Sequence, residues 1–193
     1  MALDTQPTLV GARFRIRPLA ASDRDDLHTA ASDPLIWEQH PDKKRYQRDI
    51  FDAYFTALLA AGGAVVFEAR DDGRIIGCSR YYLAPNAPEE WSIGFTFIER
   101  RYWGGGANFA LKTLMLDHLF MTEDRVWFHI GRENIRSQRG TAKLGAVLAG
   151  DCEADLLGTG NWSFYLAYGL RKDVWAGVRR TRDRSHDTTK TSG

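Results

Sequence analysis

The sequence predicts a single α+β domain, and three observations carry that expectation. Apolar residues alternate with period 2 in the first half, helical periodicity alternates with strand patterns in the second, and no repeat or Pro/Gly/Ser-rich linker divides the chain. A chain of 193 residues is long enough to bury roughly 70% of its unfolded surface around one core.

The elements follow in order. Residues 13–19, Arg-Phe-Arg-Ile-Arg-Pro-Leu, alternate basic and apolar side chains, so Phe14 and Ile16 are expected to face inward from a half-buried strand. Ser22 and Asp25 have capping-box spacing and predict a short helix to about Ala31, and a second helix is expected from Arg48 to Leu59. Strands at Ala64–Ala69 and Arg74–Tyr82 flank Asp71-Asp72-Gly73, a hairpin signal, and a third strand is expected from Glu90 to Ile98. Leu111, Leu114, Met115 and His118 mark one face of a helix from about Gly106 to Phe120, and Val126, Phe128 and Ile130 alternate as the next strand. Asn134 opens a helix that Gly145 closes, and strands fit Ala146–Glu153 and Trp162–Tyr168. Residues 1–178 form the predicted domain, and the polar residues 179–193 are expected to be a disordered tail.

Composition excludes several classes. Hydrophobic residues at 44% and aromatic residues at 12% need a core. A net charge of +1 gives no nucleic-acid footprint. No run resembles a secretory signal or approaches the roughly 20 apolar residues of a membrane span, so a cytoplasmic protein without a membrane partner is expected. Cys78 and Cys152 lack metal or disulfide spacing, and His118 and His129 lack metal-ligand spacing, so no metal is expected.

The informative segment is the strand ending at Ile98 that leads through Trp103-Gly104-Gly105-Gly106-Ala107-Asn108 into a helix. Glycines let the backbone approach a ligand, and the first helical N–H groups are unpaired donors at the positive end of the helix dipole, a setting suited to phosphate. Neither the Walker nor the dinucleotide fingerprint is present. A ligand-free glycine turn is the alternative.

With this element order, the Trp-Gly-Gly-Gly segment resembles the GNAT superfamily of N-acetyltransferases. It is most similar to the branch of ribosomal-protein alanine N-acetyltransferases, in which Trp-Gly-x-Gly replaces a leading Arg. Asn108 departs from the usual small residue at its position. Downstream, Asn134-x-x-Ser137 followed by Lys143-Leu144-Gly145 resembles a second segment of the same branch. The resemblance implies α/β/α layers around a mixed, mostly antiparallel sheet that splays between the strand ending at Ile98 and the strand of Val126 to Ile130. It implies that acetyl-CoA enters this cleft as co-substrate, with pantetheine along Thr96, Phe97 and Ile98 and pyrophosphate on Trp103 to Asn108. It also places Asn134 and Ser137 beside the pantetheine arm.

Acetyl transfer needs a neutral amine to attack a thioester and a sulfur that leaves more easily when protonated. Ser137 is the expected proton donor; Asn134 is equally readable as an N-cap that accepts the Ser137 N–H. Glu90, or alternatively Glu68, is the candidate base. No strong His or Glu constellation is visible, which favours positioning and backbone amides that polarise the carbonyl. The amine acceptor, a peptide or a small molecule, is expected near Trp37, His40, Tyr46 and the Arg80-Tyr81-Tyr82 strand end, although packing would also explain Trp37 and the tyrosines. A homodimer stays open. The competing readings are a noncatalytic acyl-CoA-binding or regulatory domain and, without Gly-x-Ser-x-Gly, a serine hydrolase.

Overall fold

Strand alternation and turn chemistry build the sheet from its first hairpins outward. The computed structural model describes residues 2–190, with side chains described to residue 182 and at 184. Strands β1 (Leu9–Val10) and β2 (Phe14–Pro18) form an antiparallel edge, and Phe14 and Ile16 point into the core as their alternation predicts. A 3-10 turn, Ala21–Asp23, then precedes α1 (Arg24–Ala31). The start is set by Asp23 rather than Ser22: its carboxylate accepts the Ala20 N–H at 2.8 Å and is clamped by Arg17 at 2.7 and 2.9 Å.

Helix α2 (Arg48–Ala61) leads into β3 (Ala64–Ala69), and β3 turns into β4 (Ile75–Ala84) through Asp71-Asp72-Gly73. Gly73 has φ +71°, and the Ala69 N–H donates to the Arg74 carbonyl at 2.9 Å to close the hairpin. Strand β5 (Ala87–Ile98) pairs with β4 and carries a bulge: Cys78 faces Phe97, but Arg80 faces Gly94. Phe95, inside that bulge, has φ +54°. Helix α3 (Ala107–Leu119), β6 (Arg125–Gly131), α4 (Ile135–Ala142), β7 (Val147–Ala154), β8 (Ser163–Arg171) and α5 (Lys172–Lys190) complete the chain.

The eight strands form one sheet in the order β1-β2-β3-β4-β5-β6-β8-β7. Every pairing is antiparallel except β5 with β6. Core covers both faces. On one side Phe67, Tyr81 and Val126 of the sheet pack against Leu111 and Met115 of α3 and Trp175 of α5; on the other Val66 and Phe97 pack against Leu27 of α1 and Phe51, Phe55 and Leu58 of α2. Complete burial of each such side chain contributes about 1.5–3 kcal/mol, and the result is the layered α+β architecture expected from the sequence.

One expectation is corrected at the C-terminus. Where a disordered tail is expected from Arg179, the backbone continues as α5 to Lys190, and residues 191–193 lie outside the described residues. Long-range partners explain the difference: Arg179 pairs with Asp117 of α3, and the Arg182 guanidinium lies 3.8 Å from the Phe109 ring centroid. No described helix is long and apolar enough to cross a membrane.

Candidate active site

The parallel pair β5 and β6 is joined only at Trp91 opposite Val126 and Ser92 opposite Trp127. Beyond those residues the strands part, and a cleft of about 740 Å³ opens between them, bounded by Ile93–Ile98 on one wall and Phe128–Gly131 on the other. This is the splay the resemblance implies, at the strands it implies.

The glycine loop stands at the mouth. Gly104 and Gly106 have φ +76° and +77°, conformations that cost a side-chain-bearing residue about 1–2 kcal/mol. Gly106 is the N-cap of α3 and carries no side-chain cap, so the first helical N–H groups are free of a capping side chain. A Cβ built on Gly104, Gly105 or Gly106 would meet nothing within 4 Å, so packing does not explain this run of glycines. The Trp103 indole N–H donates to the Ile98 carbonyl at 3.0 Å, and the Arg136 guanidinium of α4 covers its ring at 4.1 Å. On the outer side, Arg13 donates to the Gly105 carbonyl at 3.1 Å.

Most of the expected site residues come together here. Thr96, Phe97, Ile98, Trp103, Gly104, Gly106, Ala107, Asn108, Asn134 and Ser137 line the cleft, as do Trp37 and His40, while Gly105 lies in the loop but off the lining. The Asn134 side chain accepts the Ser137 N–H at 3.1 Å, so the capping role is real and leaves the Ser137 side chain on the cleft wall.

Glu90, Glu68 and Tyr81 stand elsewhere, and Tyr46, Arg80 and Tyr82 do not line the cleft either. Glu90 lies where β5 and β6 are still paired; its carboxylate accepts the Trp127 indole N–H at 2.5 Å, faces Arg125 at 3.7 Å and does not line the cleft. Glu68 is held by Arg17 at 2.6 Å on β3. Tyr81 is 1% exposed on the α3 face of the sheet, where its hydroxyl donates to the Met115 carbonyl at 3.0 Å, so it belongs to the core rather than to an acceptor pocket.

Electrostatics add what the sequence reading lacks. Arg45, Lys112, Arg136, Arg139, Lys143 and Arg182 line the cleft, and among the described residues no Asp or Glu does. Burial, aided by Arg45 close by, pushes His40 down to about 3. Burial likewise pushes His129 down to about 4; its Nε2 meets the Asn86 side-chain oxygen at 2.7 Å and its Nδ1 the Tyr82 hydroxyl at 3.0 Å. Both imidazoles are therefore neutral at pH 7. Among the described residues no group of three or more His, Cys, Asp or Glu side chains is arranged to hold a metal.

Lys112 is the residue the sequence reading missed. It is 6% exposed, and its ammonium nitrogen donates to the Thr96 hydroxyl at 2.7 Å. A signal was present: Lys112, Leu116 and Leu119 recur at i, i+4 and i+7 and are all buried.

A sheet parted between two parallel strands, with a glycine loop leading into a helix at the mouth, defines an acyltransferase type of fold and site. The chain belongs to the acetyltransferase (GNAT) domain family, whose model matches residues 13–147. It is an N-acetyltransferase on that ground. Among solved structures it is similar to an acetyltransferase from T. thermophilus, with 27% identity and a TM-score of 0.71 over 95% of this chain and 99% of that one. A GCN5-related N-acetyltransferase from Brucella melitensis shares the fold at 15% identity and a TM-score of 0.73, over 91% of this chain and 83% of that one. Mycobacterium smegmatis RimJ, in complex with CoA-disulfide, shares it at 22% identity and a TM-score of 0.60, over 86% of each chain. No curated protein matches the chain.

Proposed function

We propose that the protein moves an acetyl group from acetyl-CoA to a primary amine, on a protein N-terminus or a small molecule, by direct attack in a ternary complex. One observation carries the reading: the parted strands enclose a cleft lined by cations without carboxylates, with an open, uncapped glycine loop at its mouth. Such a site favours a long polyanion with a neutral arm, which describes coenzyme A. RimJ in complex with CoA-disulfide adds a coenzyme A adduct on the same fold.

In this reading the amides from Trp103 to Asn108 hold the diphosphate, the Thr96–Ile98 edge pairs with pantetheine, and Ser137 protonates the departing sulfur. Phe97 and Asn134 shape the arm's path. The amine arrives from the side of Trp37 and His40. With no carboxylate among the described residues of the lining, the acceptor is best served by a low intrinsic pKa. An α-amine costs about 1 kcal/mol to deprotonate at pH 7, against about 4.6 for a lysine side chain.

A thiol-release assay with acetyl-CoA against peptides, amino acids and other small amines tests this. Release that depends on an amine, with an acetylated product, is expected. Stabilisation by CoA with no product from any amine contradicts catalysis and favours a binding domain.

A further inference from the structure

Lys112 has an unusual setting. Lys112 is one of the residues that line the cleft, and its one described hydrogen bond runs to Thr96, beside the bulge that lifts β5 out of register with β4. Behind it, the Ser79 hydroxyl donates to the Gly94 carbonyl at 3.0 Å, and the Thr96 hydroxyl lies 2.7 Å from Ser79 and 3.4 Å from the same carbonyl, so the Thr96 proton has an acceptor on that side. The Thr96 oxygen accepts from Lys112 at 2.7 Å. An ammonium has three donors, and the described residues take one. A buried lysine is ordinarily paired with a carboxylate, yet among the described residues none lines this cleft.

We propose that Lys112 is a catalytic residue of the transfer, its ammonium donating to the thioester carbonyl oxygen and stabilising the negative charge that develops there. The proposal rests on the acetyl-CoA reading above, which brings the thioester past Thr96 towards Ser137. The acceptor nitrogen forms a bond to the carbonyl carbon while the π electron pair moves onto oxygen, facing Lys112. That pair returns as the C–S bond breaks, and the thiolate takes the proton that the new amide nitrogen releases, by way of Ser137 or water. Products are the N-acetyl amine and the CoA thiol. Preorganised charge of this kind acts strongly in a water-poor site.

Other groups around Lys112 leave its charge unpaired. The Cys78 thiol of β4, which acts on it electrostatically, is pushed up to about 12 and is neutral; Phe128 of β6 offers a ring face at 5.7 Å. His40 and His129 across the cleft are neutral, and Arg45, Arg136, Arg139, Lys143 and Arg182 share the lining as cations. Burial pushes Lys112 down to about 7. A reaction that needs its ammonium weakens as pH rises through that value, opposite in sense to deprotonation of the acceptor.

The test uses the full chain with acetyl-CoA labelled with carbon-13 at the thioester carbonyl. In the wild type the bound carbonyl resonance is expected downfield of free acetyl-CoA, returning upfield as pH rises through about 7. Lys112→Met loses both effects; Lys112→Arg, whose charge does not titrate, keeps a downfield shift without the pH response. With the best amine of the panel, Lys112→Met lowers kcat on the order of 100-fold with KM little changed, and Thr96→Val, which unfixes the lysine, gives a smaller kcat loss. A carbonyl resonance identical in wild type and Lys112→Met overturns the proposal while the acetyl-CoA reading survives. Mass spectrometry finding Lys112 itself acetylated also overturns it, because the amine is then a nucleophile. Absence of any acetyl-CoA binding by the wild type would instead remove the reading on which it rests.

Discussion

Gly106 and Gly73 make a matched pair. Their φ values are +77° and +71°, and a Cβ on either meets nothing within 4 Å. Replacement by Ala therefore imposes the same left-handed strain on the free protein, about 1–2 kcal/mol. At roughly 2–4 °C per kcal/mol for a domain of this size, each variant is expected to melt about 2–8 °C below the wild type. Only Gly106 stands at the α3 N-terminus. A methyl there keeps the diphosphate from at least one backbone donor, and a hydrogen bond to a charged group contributes about 1.5–3 kcal/mol, so the CoA Kd should rise roughly 10- to 100-fold. Calorimetric titration of both variants with CoA reads this directly. Gly106→Ala is expected to bind weakly and Gly73→Ala like the wild type. Equal affinity in the two variants would refute the assignment of the loop.

Other outcomes follow from the same geometry. Ser137→Ala should lower turnover more than CoA affinity in steady-state kinetics and calorimetry, since Asn134 caps through the Ser137 backbone N–H and not its hydroxyl. Glu90→Gln should keep turnover within a few-fold, because Glu90 serves Trp127 and Arg125 rather than the cleft. Stability should fall as pH drops. With His129 pushed down to about 4 in the fold from an ordinary 6.5, the unfolded chain binds the extra proton between those values. Stability is full above about 6.5 and declines below it, by about 2 kcal/mol at pH 5. Urea unfolding of His129→Asn at pH 7 and pH 5 should show that much less pH dependence than the wild type.

Local chemistry made much of this fold legible. Asp71-Asp72-Gly73 announces its hairpin because only glycine accepts the left-handed turn cheaply, and Asn134 announces α4 because its side chain has one obvious donor to satisfy. The glycine loop was legible for the same reason. Tyr81 was not: β4 lies mid-sheet under core on both faces, so Tyr81 and Tyr82 are both buried and alternation loses its inside and outside. The end of α5 was hidden because Arg179 and Arg182 find their partners on α3, far earlier in the chain, at Asp117 and Phe109. Polarity alone made those arginines look solvated. Lys112 escaped notice through its residue type, since a lysine on an apolar stripe is normally taken for a snorkelling surface residue. Glu90 attracted attention by residue type and position, but its carboxylate is already occupied.

The central claim is that the amides of the α3 entry loop bind the diphosphate of coenzyme A. Amide NMR spectra recorded while CoA is titrated in test it most directly. Saturable shifts are expected at Gly104, Gly106, Ala107 and Asn108, with Gly73 and Gly158 unmoved. Binding of CoA that leaves the loop amides in place, or no binding at all, would contradict it.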